Sequence, residues 1–266
     1  MPTLTSYSMR YFKFVFLFVI VAVLSCSPQN NVKRILPRGS FLKIQKHLDV
    51  ILCHPQKKDL CITKRFEASA SGVVVDSNGE NAYALTAAHV CVDSDALKML
   101  KNNKYTMEFL VVNIHERYFP IEIVAVDSEN DLCILYVKGL YNPAVRIAAD
   151  APEPGDRIYN TAAPLGIFDK NMIPIFDGFF DGNSGNHAVY SLPAKGGSSG
   201  SPIVNGNGEL VGMVSAAYIY FPEITISPRF HATKNFITRE VDADKKKRNI
   251  KAVIDFFGQF FSKKDE

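Results

Sequence analysis

Gly196-Gly197-Ser198-Ser199-Gly200-Ser201-Pro202, running directly into Ile203-Val204, is the stretch on which the reading of this chain turns. Glycines on both sides of a serine pair permit a tight turn, and a strand follows. Such a turn can aim a hydroxyl and two backbone N–H groups at one point, which is what an acyl-transfer nucleophile and its oxyanion require. By itself a Gly/Ser-rich turn is common and is usually only a turn. Two further segments change its meaning. Thr86-Ala87-Ala88-His89-Val90-Cys91 sets a histidine behind an apolar run, and Asp131-Leu132-Cys133-Ile134-Leu135 sets an aspartate at the head of another. The chain order His, Asp, Ser is one of the few that assemble a nucleophile, a base and an orienting carboxylate. A lone histidine near an apolar run is usually structural. His47, His54, His115, His187 and His231 lack the setting that singles out His89.

The blocks TAAHVC (86–91), DLCILYV (131–137) and GSSGSPIVNGNGELVGMVSA (197–216) resemble the three signature blocks of the trypsin-like, chymotrypsin-fold serine peptidases. The nearest branch is the bacterial one that includes the HtrA/Deg and glutamyl-endopeptidase enzymes. The resemblance covers about residues 66–240, in the right order. It implies an all-β fold of two six-stranded antiparallel barrels, and hydrolysis of protein or peptide substrates through an acyl-enzyme with no cofactor. On it Ser199 is the nucleophile, framed by the glycines before Ser198 and by the Gly200-Ser201-Pro202 tail, so that Ser198 and Ser201 are only neighbours. His89 is the base that later returns its proton to the leaving amine, and Asp131 orients the imidazole. The N–H groups of Gly197 and Ser199 form the oxyanion hole. Ser215 matches the serine that supports the aspartate, and Ser215-Ala216-Ala217 match the strand that pairs with an extended substrate.

Three departures bear on specificity and activation. Ser198 stands where the family usually has Asp or Asn, so an N-terminal amine has no carboxylate to pair with there. Ala217 stands where digestive enzymes keep glycine, which narrows the pocket. The run Tyr190-Ser191-Leu192-Pro193-Ala194-Lys195 offers no acid at the pocket base, so a preference for Lys or Arg loses its warrant. His231, read as part of a last strand on the far pocket wall, suggests an acidic preference as a rival to a small or apolar one. The rival from another class is a peptide-binding module that keeps the fold and has lost turnover.

The ends of the chain carry separate signals. Arg10 and Lys13 precede the uncharged run Phe14–Leu24, shorter than the about 20 residues of a membrane span and fitting the core of a signal peptide. Val23-Leu24-Ser25-Cys26-Ser27 resembles a bacterial lipobox with Cys26 as the lipidated residue; an uncleaved anchor and simple secretion remain alternatives. All three place the rest of the chain outside the cytoplasm. The organisation expected is therefore a signal or anchor over 1–26, a polar tether over 27–47 and a protease domain over 48–266. Its two barrels divide near 145–155, and a closing helix spans about 244–261.

A net charge of +3 is too small to argue for nucleic acid, and Lys245-Lys246-Lys247-Arg248 lie among acids as a solvated face. With Cys26 set aside, four cysteines allow three pairings. Cys53 and Cys61 bracket a short polar loop, and Cys91 and Cys133 follow the expected base and carboxylate by two residues each. Buried free thiols are the alternative. No finger-like spacing points to a metal.

Short strand patterns fill the middle of the chain. Ser71–Val75 and Ala82–Thr86 flank a Gly-containing turn as a hairpin. Residues 92–102 have helix-compatible spacing, 105–114 and 118–126 read as a strand pair, and Asn205-Gly206-Asn207-Gly208 is a hairpin turn. Phe230–Ile237 reads as the last strand. Ile250, Val253, Ile254, Phe257 and Phe261 make one helical face, expected to close against the barrels.

Overall fold

The structure, a computed structural model, describes residues 35–53, 60–92, 104–170 and 172–262, with side chains as far as residue 255. Alternation begins earlier than the expected tether allows. Phe41-Leu42-Lys43-Ile44 buries three apolar side chains and leaves the lysine half-buried, as a strand on a barrel wall does. These residues open β1 (Phe41–Cys53), so 41–47 belong to the barrel and not to a tether. The signal or anchor segment and Cys26 lie outside the described residues, as do residues 93–103, where a helix was expected.

β1 pairs along its whole length with β2 (Cys61–Ser77), which turns through Gly79 into β3 (Asn81–Thr86). The turn is held by the Asn78 side chain, which accepts from the N–H groups of Glu80 and Asn81. A single helical turn, α1 (Ala88–Cys91), follows β3. Then come β4 (Lys104–Val112), β5 (Tyr118–Pro120), β6 (Glu122–Asp127) and β7 (Leu132–Lys138). The order across this antiparallel sheet is β5-β4-β1-β2-β3-β7-β6. Its two outermost strands are separated in sequence by Ile121 alone. One bent segment thus pairs with β4 at one end and β7 at the other, and seven named strands make a barrel of six.

The second sheet repeats the device. It comprises β8 (Arg157–Thr161), β9 (Ile175–Ser184), β10 (His187–Ser191), β11 (Pro202–Val204), β12 (Leu210–Met213), β13 (Ala216–Tyr218) and β14 (Phe221–Pro228). The order is β12-β11-β8-β9-β10-β14-β13, and only Val214 and Ser215 separate the outermost pair. The chain crosses between the sheets over residues 139–156, where Val145 N–H bonds Val74 C=O and Leu210 N–H bonds Arg146 C=O. Each barrel has its own core. Leu42, Ile44, Val73, Leu85, Ile134 and Leu135 fill the first, and Ile158, Tyr190, Leu192, Ile203 and Val211 the second.

Phe230–Ile237 is not a strand. The last strand is β14, which ends at Pro228, and a helix, α2, runs from Phe230 to Ser262. Its buried positions, Phe230, Thr233, Phe236, Ile237 and Val241, recur at three- and four-residue spacing. The β-branched and aromatic residues that suggested a strand are the buried face of a helix. Phe230 belongs to the second core, and Phe236, Ile237 and Val241 to the first. The expected closing face sits differently. Ile250, Val253 and Ile254 are 52%, 55% and 63% exposed, so it is the first third of α2 that packs on the barrels. Nor is the basic run wholly solvated. Lys245 pairs with Asp76, and Arg248 reaches both Glu122 and Asp244 while stacking 3.6 Å from the Tyr136 ring.

Candidate active site

Three elements place the side chains that the sequence singled out. The end of β3 delivers Thr86, and α1 then turns His89 outward, 52% exposed, while Val90 and Cys91 stay buried. Asp131 precedes β7 in the left-handed region, φ +53°, which Asp tolerates better than most residues. A disulfide between Cys91 and Cys133 joins α1 to β7 two residues beyond each of these groups. A second disulfide, Cys53–Cys61, closes the far tip of the β1–β2 hairpin.

His89 Nδ1 lies 3.0 Å from both carboxylate oxygens of Asp131, and the His89 backbone N–H donates to one of them. The Ser215 hydroxyl, from the bend between β12 and β13, donates to the other. Asp131 thus accepts from both barrels. Burial on its own would raise this carboxyl, but the bonds from the His89 ring, the Ser215 hydroxyl and the His89 amide outweigh it and hold the pKa below the usual range. With Nδ1–H engaged, Nε2 is the ring nitrogen left to accept a proton.

Ser199 follows a turn from Lys195 to Ser198, closed by the Ser198 N–H on the Lys195 carbonyl. Gly197 sits in it at φ +96°, where a Cβ would come within 2.5 Å of the Ala163 carbonyl oxygen. Only glycine fits both the angle and the space. The Leu165 N–H donates to the Gly196 carbonyl at 2.6 Å, so the Gly196–Gly197 peptide has its oxygen held toward Leu165 and its N–H turned the opposite way. Ser71 completes the scaffold. Its hydroxyl donates to the Gly197 carbonyl and accepts from the Ala163 N–H, and its backbone N–H donates to the Ser199 carbonyl. The N–H groups of Gly197 and Ser199 donate to no group among the described residues. Among these residues no hydrogen bond joins the Ser199 hydroxyl to the imidazole.

Beside Ser199 opens a cavity of about 270 Å³ lined by Ala194, Val214, Ser215, Ala216, Ala217 and Tyr218 among others. Lys195 at its edge is the one charged residue in the lining, and no acid contributes. Ser198 is fully buried beneath the turn, where its hydroxyl accepts from the Lys195 N–H. His231 is not here. It sits in the first turn of α2 and lines a separate cavity with Phe180, Tyr190 and Phe230, because the segment that carries it is helix rather than pocket-wall strand. Ser71 and Leu165 were not singled out in the sequence. Each acts by holding a backbone turn distant in the chain, and no local pattern announces that.

The model of the trypsin-like peptidase domain matches residues 70–213, over half of the chain. The chain belongs to this family. No curated protein matches it in sequence. Among solved structures, a serine endoprotease from Yersinia pestis aligns over 81% of this chain and 67% of its own, at 18% identity and a TM-score of 0.57. At that identity the likeness speaks to the fold, and the two curled sheets are the chymotrypsin-like architecture. The matched span of the trypsin-like peptidase domain runs from Ala70 to Met213. It takes in His89, Asp131 and Ser199 and stops just short of Ser215. The two disulfides mark a chain that folds in an oxidising compartment, outside the cytoplasm. No helix among the described residues is long and apolar enough to cross a membrane.

Proposed function

We propose that the chain is an exported serine endopeptidase. Ser199 is the nucleophile, His89 the general base and then acid, and Asp131 the group that orients and supports the imidazole. The observation that carries this reading is Asp131 itself, a half-buried carboxylate bound by His89 from one barrel and by Ser215 from the other, with Ser215 and Ser199 lining one cleft. The N–H groups of Gly197 and Ser199 receive the oxyanion, a contribution of about 2.7–4 kcal/mol per donor to the transition state. Substrate arrives extended along Ser215–Ala217; the Ser199 hydroxyl proton passes to His89 Nε2 as Oγ attacks the scissile carbonyl, and from Nε2 to the leaving amine as the C–N bond breaks.

The cavity walls of Ala194, Val214, Ala216 and Ala217 favour an apolar residue before the scissile bond. An acidic preference loses its support with His231 elsewhere. Fluorophosphonate labelling of the full-length chain is the test: labelling that vanishes in both Ser199→Ala and His89→Ala supports the reading. A folded chain that stays unlabelled makes it a peptide-binding module instead. We further infer that Cys26 carries lipid and tethers the protease to a membrane surface. Incorporation of radioactive palmitate in a bacterial host, lost in Cys26→Ala, checks this, and incorporation unchanged by the substitution refutes it.

A further inference from the structure

The β1–β2 hairpin reaches well beyond the first barrel. β2 pairs with β1 from Val73 out to Cys61 without a break in register, but its other edge meets β3 only from Val73 onward. Residues 61–68 of β2 are all exposed. Asp49 and Arg65, directly opposite one another, form an ion pair that spans the two strands and leaves the outer edge clear. The Cys53–Cys61 disulfide ties the tip, so the edge is held as a template rather than a loose strand.

The polarity of that edge follows from Ser71. Its N–H donates to the Ser199 carbonyl and its C=O accepts from the Thr86 hydroxyl, so both point away from β1. In an antiparallel ladder this alternates, and with no bulge between Val73 and Cys61 the outward residues are Ser69, Glu67, Arg65 and Thr63. Their outward N–H and C=O groups have no partner among the described residues. The strip starts at the nucleophile turn, since a Cβ on Gly200 would lie 2.2 Å from the Ser71 carbonyl oxygen. Its opening is faced by the Pro164–Gly166 turn, which packs on Ser69 and carries Leu165, 75% exposed at φ +53°. An unpaired edge this long is normally blunted or covered.

The geometry points to the edge of β2 from Ser69 to Thr63 as a docking strip for the substrate segment that follows the scissile bond, added as a further strand. This rests on the peptidase reading above. Ser199 lies between two open edges. Ser215–Ala217, beside the cavity, takes the residues before the cut, and the β2 strip takes those after it. The seven residues of the strip span roughly 20 Å, enough to pair about seven substrate residues. The enzyme therefore selects extended or unfolded polypeptides with a long downstream segment over short peptides.

The test uses the full-length chain and unfolded β-casein. A cleavage site mapped in casein is resynthesised as quenched peptides with two or nine residues after the cut. The longer tail should raise kcat/KM by about tenfold or more, chiefly through KM. N-methylation of alternate downstream residues should abolish the gain in one register and spare it in the other. Glu67→Pro removes one outward N–H without touching the pairing to β1, and should erase the gain while the fluorophosphonate labelling rate stays unchanged. The methylated peptides decide the matter if that variant misfolds. Normal labelling with no effect of tail length, or with casein left uncut, overturns the strip and spares the peptidase reading. A concentration-dependent dimer that Glu67→Pro dissolves, with tail length still without effect, assigns the edge to a second copy of the chain. Loss of labelling in the parent chain removes the peptidase reading, and the strip with it.

Discussion

Asp131 concentrates the site's electrostatic constraints in one carboxylate. It takes a left-handed backbone and accepts three hydrogen bonds from two residues in different barrels. Those bonds overcome burial and hold its pKa below the ordinary value of 3.8. The consequence for stability has a definite sign. A carboxylate depressed in the folded state contributes stability that is fully present above its unfolded pKa and is lost as pH falls through the folded one. Asp131→Asn should therefore be less stable than the parent in urea at pH 7 and at pH 5, and the gap should narrow toward pH 3. A gap that is the same at every pH would mean that the carboxylate's charge is not what the fold uses. The same variant should lose about 10³–10⁴-fold in fluorophosphonate labelling rate, because an amide no longer fixes the Nδ1–H tautomer. At this scale the sequence was legible where chemistry demands a residue type. It was silent on Ser71 and Leu165, which a backbone turn needs only for one hydroxyl and one N–H.

Elements were legible where period and punctuation agreed. The β2–β3 hairpin and the Asn205–Gly208 turn show strand runs bounded by glycine and asparagine, and both stand where that pattern puts them. The Cys91–Cys133 bridge was open to anticipation because His89 and Asp131, two residues earlier, had to meet. The misreadings have a common cause. Phe230-His231-Ala232-Thr233 mixes aromatic and β-branched residues, which fit a pleated surface in short windows, and a helix face shows only over a dozen residues. Phe236, Ile237 and Val241 supply that longer period, and Pro228 ends the strand before it. The opening of β1 hides for another reason: Phe41, Leu42 and Ile44 are buried, but Lys43, Gln45, Lys46 and His47 share the stretch, so its composition runs on from the basic segment before it and reads as tether.

α2 ties the molecule together. Phe230 is buried in the second core and Phe236, Ile237 and Val241 in the first, while Lys234 caps the carbonyls of Ala148 and Ala149 on the chain that crosses between the barrels. The carboxylate hub also spans the barrels, with Asp131 on one side and Ser215 on the other. A change in how the helix seats should therefore reach Ser199 without touching it. Phe236→Ala removes a side chain only 3% exposed, and should cost about 3–5 kcal/mol. For a domain of this size that lowers Tm by roughly 10 °C. Ile250→Ala, on the exposed stretch of the same helix, should change stability by no more than about 0.5 kcal/mol. The parent should melt in one transition, and Phe236→Ala should slow fluorophosphonate labelling at temperatures where it is still folded. Two separate transitions, of which only one moves in the variant, would mean that the barrels fold independently and that α2 is a passenger on the first. A single transition that shifts together with the labelling rate would mean that the helix holds the two barrels, and so Asp131 and Ser215, in the register that the chemistry uses.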